Sequence, residues 1–312
     1  MSDRAHYAGC VVGLAVGDAL GMPTEFLSLA EIRARFGPDG VTDLEEGAWP
    51  AGHFTDDTQM TLALAEGILA AGTEASLDAI MAEVSREFVA WDEAPVGGHR
   101  APGNTCRTGC RNLAAGVPWR EAGVAGSKGC GTAMRAAPVG LAWPGEYERI
   151  REVGVAQSLA THDHPCARAG SVAVAALVSM ALEREHPSRM LERVIALTGE
   201  VSDEFATHLQ RVSVALEAEE EDAWALLGEA WVAEEAVAGA LYCFLRSPED
   251  YRATVLRAAN TEGDSDSLAC IAGAISGAYN GLAAIPEDWR HRVERAEYLL
   301  SVADRLFEAA GG

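Results

Sequence analysis

An all-α fold is what this sequence predicts. Apolar residues recur at spacings of three and four, helix-start signals precede several of those runs, and alternating strand-like runs between hairpin turns are hard to find. Of the 312 residues 49% are hydrophobic and 23% charged, an ordinary globular balance. No low-complexity linker divides the chain, so one compact domain over residues 1–312 is expected.

The elements follow in chain order. Gly9, Gly13, Gly17 and Gly21 recur every four residues and would form one smooth stripe on a helix. Each glycine costs about 1 kcal/mol of helix propensity against Ala, so such a stripe implies a buried helix that another backbone approaches closely. Thr55-Asp56-Asp57-Thr58 stands before the apolar run from Met60 to Ala71. Ser76 is a good N-cap for a helix whose buried face carries Leu77, Ile80, Met81, Val84, Phe88 and Trp91. Gly103-Asn104-Thr105 after Pro102 reads as a turn and a helix start, and Ser247-Pro248-Glu249-Asp250 as a second start. The acidic run from Glu217 to Asp222 reads as a solvated helix face. Gly263-Asp264-Ser265-Asp266-Ser267 precedes the apolar run from Leu268 to Ala278. A last amphipathic pattern comprises Val293, Ala296, Leu299, Leu300, Ala303, Leu306 and Phe307. Glycine-bearing loops are expected at 37–52, 97–103 and 126–131.

Composition excludes some functions. Lys and Arg number 24 against 47 Asp and Glu, a formal charge of −23, and no basic run offsets it. That field repels a phosphate backbone, so stable nucleic-acid binding is not expected. The early apolar stretch from Cys10 to Val16 is far short of the roughly 20 residues of a membrane span, and no signal-type basic region precedes it. No Cys-x-x-Cys pair occurs among the seven cysteines, which reads as buried, reduced thiols in a cytoplasmic protein.

Two acidic clusters carry the chemistry. Each places two carboxylates and hydroxyl oxygens at the start of an apolar helix. Capping explains one carboxylate per helix. Two packed together repel unless a cation sits between them, and hard oxygen donors select Mg²⁺, Mn²⁺ or Ca²⁺ over zinc. Gly126-Ser127-Lys128-Gly129-Cys130-Gly131-Thr132-Ala133-Met134-Arg135 is a glycine-rich loop leading into a helical pattern, either a plain turn or a phosphate cradle. It lacks the Lys-Ser/Thr of a Walker loop. His162-Asp163-His164-Pro165 reads as a loop with a histidine pair, and Glu25 is unremarkable in isolation.

The joint order of these pieces resembles the ADP-ribosylglycohydrolase family. The matching stretches are Gly13 to Gly21 with Glu25-Phe26, Thr55 to Thr58, Gly103-Asn104-Thr105, and Ser127 to Arg135 followed by Pro138. Thr161-His162 and Gly263 to Ser267 with Gly273 complete the set. The resemblance implies a compact orthogonal helical bundle with a site for two divalent cations, Mg²⁺ or Mn²⁺. It implies Thr55, Asp56, Asp57, Asp264, Asp266 and Ser267 as metal ligands, and Glu25, Asp57 and Asp266 as the catalytic carboxylates. Asn104, Ser127, Lys128, Gly129, Cys130, Gly131, Met134 and His162 would bind substrate, the glycine loop holding the diphosphate. One departure matters: relatives of the arginine-linkage type carry Asp three residues before the Asn of Gly-Asn-Thr, and this chain has Ala101. That weakens the case for an arginine acceptor.

The expected reaction is hydrolysis of the bond between the distal ribose of ADP-ribose and an acceptor on a protein or a small conjugate. The alternative is a module on the same fold that binds ADP-ribose without turnover. A helical prenyl-diphosphate enzyme is disfavoured, because Met60 occupies the third acidic position of its Asp-Asp-x-x-Asp pattern.

Overall fold

A computed structural model of the chain describes residues 3–312, and its architecture is all-α. In chain order the helices are α1 (Arg4–Gly21), α2 (Leu29–Phe36), α3 (Asp56–Ala71), α4 (Leu77–Glu93), α5 (Asn104–Ala114) and α6 (Ala137–Ala142). Then come α7 (Tyr147–Leu159), α8 (Pro165–Leu182), α9 (Pro187–Gly199), α10 (Asp203–Leu209), α11 (Arg211–Glu217) and α12 (Glu220–Leu227). The chain closes with α13 (Ala233–Arg246), α14 (Tyr251–Ala259), α15 (Ser265–Asn280), α16 (Glu287–Arg292) and α17 (Ala296–Ala309). Two minimal parallel strands, β1 (Val124–Ala125) and β2 (His162–Asp163), pair Val124 with His162.

Helices α1 and α15 form the centre. Their small residues interlock: a Cβ on Gly13 would stand 2.6 Å from the Gly273 carbonyl oxygen, and one on Gly17 would strike the Ala269 carbonyl. The glycine stripe therefore serves as the seam predicted for it, extending through Gly21, whose Cβ would meet the Asp266 backbone. Both helices are buried almost throughout, which brings the start of α15 beside the end of α1. Apolar side chains from Tyr7 to Leu306 join one core around this pair. Within it, α8 is apolar and long enough to cross a membrane, yet 89% of it is buried among the other helices.

Ser76 caps α4 through its hydroxyl, which accepts from the Ala79 amide, and Ile80, Met81, Val84, Phe88 and Trp91 are buried as their spacing predicts. Four local expectations need correction. Ser247 closes α13; the cap of α14 is Asp250, whose carboxylate accepts from the Ala253 amide, three residues beyond the expected start. Pro248 instead sits in the turn between the helices, closed by the Asp250 amide on the Ser247 carbonyl. At the C-terminus Arg295 takes a left-handed backbone, so α17 starts at Ala296; Val293 belongs to the preceding turn, and Leu300 faces solvent. His162-Asp163 forms a short strand rather than a loop, and His164 caps α8 with Pro165 at its first position. The acidic run is exposed as expected, but spans the α11–α12 junction rather than one helix face.

Candidate active site

Helix α3 begins where Asp18, near the end of α1, reaches across to it. One Asp18 carboxylate oxygen accepts from the Thr55 amide at 2.8 Å; the other accepts from the Thr58 amide at 3.0 Å and the Thr58 hydroxyl at 2.5 Å. Asp18 therefore satisfies the free N–H groups that Asp56 and Asp57 would otherwise cap. Thr55 is the local cap, its hydroxyl lying 3.3 Å from both the Asp57 amide and an Asp57 carboxylate oxygen. The Asp56 amide donates to the carbonyl of Arg100 at 3.2 Å. Arg100 is itself buried and held by Glu294 and the Phe54 carbonyl, so the loop carrying Ala101 and Gly103 is pinned against the start of α3.

Released from capping, Asp56 and Asp57 face a cavity of about 220 Å³ whose wall also includes Asp264, Asp266 and Ser267 from the start of α15. The two acidic clusters thus meet, and each of the four Asp side chains is no more than 6% exposed. Glu25, partly exposed at the mouth, brings a carboxylate oxygen within 4.8 Å of oxygens of Asp264 and Asp266. Burial first, then mutual repulsion, pushes these acids up: Glu25 and Asp56 each to about 8, Asp57 and Asp266 well above the carboxylate range. Asp264 also rises through burial, against the opposing bonds of Cys130, Asp266 and Ser267. One Asp57 carboxylate oxygen is buried with no hydrogen-bond partner. An orphaned carboxyl oxygen amid other acidic side chains is a donor set that fits hard divalent cations.

The glycine loop forms the facing wall through Gly129, Cys130, Gly131 and Met134. It is tied to the segment before α13: the Cys130 amide donates to the Trp231 carbonyl at 3.3 Å, and the Ala233 amide to the Lys128 carbonyl at 2.9 Å. His162 borders the same cavity, held by the β1–β2 pairing and a 2.9 Å contact of Nδ1 with the Thr161 hydroxyl. Burial and the nearby Arg135 charge push His162 down to about 3, so its ring is neutral. Arg135, wholly buried, bonds Gln157 and Thr161 and stacks 4.4 Å from the Phe88 ring centroid, which fixes the base of this wall.

Four expected residues do not line the cavity. Lys128 directs its ammonium away to Glu204, at 3.0 Å, and to Glu234. Ser127 contacts the Thr105 hydroxyl at 3.1 Å, Asn104 is exposed at the start of α5, and Thr55 lies behind the carboxylates. Conversely, Ala101, Gly103, Thr105, Cys106, Phe26 and Trp231 border the cavity. Phe26 and Trp231 stack at the mouth with ring centroids 5.2 Å apart, although both are exposed. Nothing in spacing pointed to Trp231. A larger groove of about 1070 Å³ beside Trp119 and Tyr147 has Arg149, Arg151 and Arg168 on its wall, each paired with a carboxylate. Converging unpaired acids, rather than size, mark the smaller cavity as the site.

The chain is similar to known proteins along its whole length. The profile of the ADP-ribosylglycohydrolase family matches residues 1–312. An uncharacterized protein of Archaeoglobus fulgidus is 32% identical over 97% of this chain and 96% of its own. An ADP-ribosyl-dinitrogen reductase glycohydrolase of Rhodospirillum rubrum is 29% identical over 94% of this chain and 90% of its own. Among solved structures, an ADP-ribosylglycohydrolase-related protein complex superposes with a TM-score of 0.78 at 27% identity, covering 98% of each chain. With a family profile matched over the whole chain and a relative 32% identical along nearly its full length, the chain belongs to the ADP-ribosylglycohydrolase family.

Proposed function

We propose that this protein is a metal-dependent hydrolase that cleaves the bond between the distal ribose of ADP-ribose and an acceptor group, releasing ADP-ribose. The observation that carries the reading is the meeting of Asp56 and Asp57 with Asp264 and Asp266 around the unpartnered Asp57 oxygen. These acids, with Ser267 beside them, would hold two divalent cations, Mg²⁺ or Mn²⁺, while Thr55 supports Asp57 from behind. Such cations supply fixed positive charge for the ribose hydroxyls and for activating water.

The chain's own groups do the rest. Glu25, the carboxylate nearest solvent, is placed to move the proton at the leaving group, with Asp57 and Asp266 behind it. The buried carboxylates stabilise positive charge developing on the ribose as the bond breaks. The Cys130 amide is given to Trp231, and Gly129 and Gly131, which line the cavity, would offer their amides to the diphosphate. Neutral His162 offers a hydrogen bond to the substrate without adding charge. The Phe26–Trp231 pair gives ring surface on which a flat base can lie. Seven buried free thiols support a reducing, cytoplasmic setting, and one shared core supports a single domain.

A panel of defined ADP-ribose linkages, assayed with Mg²⁺ or Mn²⁺ and scored for free ADP-ribose, tests this. Release from at least one linkage, abolished by chelation, is expected. Binding of every conjugate with no release from any would identify a binding module instead.

A further inference from the structure

One donor at the site does not suit a hard cation. Cys130 lies in the glycine loop, and its Sγ stands 2.8 Å from an Asp264 carboxylate oxygen and 3.6 Å from the Ser267 hydroxyl. The sulfur therefore points into the carboxylate cluster rather than into the apolar core. Across the same cavity lies Asp57, 3% exposed, whose Oδ1 has no partner. Sulfur, a paired carboxylate and a hydroxyl meet here, and the orphaned oxygen belongs to another residue lining the same cavity.

Magnesium has little affinity for sulfur, whereas zinc and cadmium bind thiolate strongly and accept low coordination numbers with mixed sulfur and oxygen donors. We propose that Cys130 makes the Asp264 side of the cavity a mixed sulfur–oxygen site for a thiophilic divalent cation, zinc or cadmium, whose binding displaces the hard cation and inhibits the enzyme. The step needs no oxidant. A metal–sulfur bond forms, the Cys130 S–H proton leaves to solvent, and Asp264 exchanges a hydrogen bond from the thiol for contact with the metal. This inference rests on the reading that the acidic cluster binds divalent cations.

The test uses the metal-stripped full chain, titrated with Cd²⁺ and followed by ultraviolet sulfur-to-cadmium charge transfer, with bound Mn²⁺ monitored in parallel by electron paramagnetic resonance. Cys130→Ser and Cys130→Ala are compared with wild type, their folding checked by circular dichroism. Cys166→Ser is the control, because His164, Cys166 and Glu204 form a separate cluster with donor atoms within 4.8 Å of one another. Wild type and C166S should show a single-thiolate band as Cd²⁺ expels Mn²⁺. Both Cys130 variants should lose the band and at least about 10-fold in Cd²⁺ affinity while still binding Mn²⁺. A band that survives in C130S and C130A, or disappears in C166S, overturns the proposal. Mn²⁺ that binds wild type and resists Cd²⁺ overturns the sulfur site but leaves the acidic cluster standing. No Mn²⁺ binding alongside a Cys130-dependent band overturns the underlying reading instead.

Discussion

Ala101 borders the cavity with a left-handed backbone, φ 56°. Asp adopts that region more readily than Ala, because its short polar side chain can bond locally. Ala101→Asp should therefore fold as well as wild type and direct a carboxylate toward a cationic acceptor. One charge-assisted hydrogen bond of about 1.5 kcal/mol corresponds to roughly tenfold in rate, so release from arginine conjugates should rise by that factor relative to other linkages. Comparing ADP-ribose release from arginine and serine conjugates checks this; an unchanged ratio contradicts it. Legibility at this scale was uneven. Asp56, Asp57, Asp264 and Asp266 were readable because paired acids before apolar helices exceed what capping needs. Asp18 carried no such signal, because its role as the remote cap of α3 depends on a partner 37 residues away. Lys128 misled for a related reason: proximity to glycines suggests phosphate, while Glu204 and Glu234, distant in sequence, take its charge.

Among the elements, α1 and α15 decide where the acids stand. Gly17→Ala would gain about 1 kcal/mol of helix propensity but drive a methyl into the Ala269 carbonyl, and overpacking costs about 1–3 kcal/mol. Because the obstacle is backbone, net destabilisation is expected in chemical denaturation, together with weaker Mn²⁺ binding as α15 shifts. A variant more stable than wild type would contradict the close packing. The stripe was legible because glycine at every fourth position has no other use in a helix; its partner was not, since Gly273 and Gly277 lie in an apolar run that any core helix could share. The misplaced start of α14 has a similar cause. Ser247-Pro248 and Asp250 are both start signals, and only the turn bond between Asp250 and Ser247 selects the second. Trp231 was silent in the sequence because a tertiary bridge, Gly129 to Val232, carries it to the mouth.

Over the whole molecule, folding gathers acids from α1, α3 and α15 into one buried volume, and this concentration has a cost that depends on pH. Glu25 and Asp56 are raised to about 8 from ordinary values of 4.5 and 3.8. A carboxylate whose folded value lies above its unfolded one destabilises the fold wherever it is ionised: the penalty is absent at low pH, grows above the ordinary carboxylate range and is complete above about 8. Metal-stripped protein should therefore have a higher melting temperature at pH ~5 than at pH ~8 from this cluster, and Mg²⁺ or Mn²⁺ should recover most of the difference. Scanning calorimetry with and without cation checks it; a stripped protein that gains stability over that interval, with no response to cation, contradicts it. The all-α architecture was readable from periodicity because most helices bury one face, whereas the depth of α8 and the two small strands arise only from packing. The most direct measurement is Mn²⁺ binding by electron paramagnetic resonance in wild type, Asp57→Asn and Asp266→Asn. If remote segments share the same ions, each substitution alone weakens binding by at least about 10-fold; undiminished affinity in both would show that the two acidic clusters do not form one site.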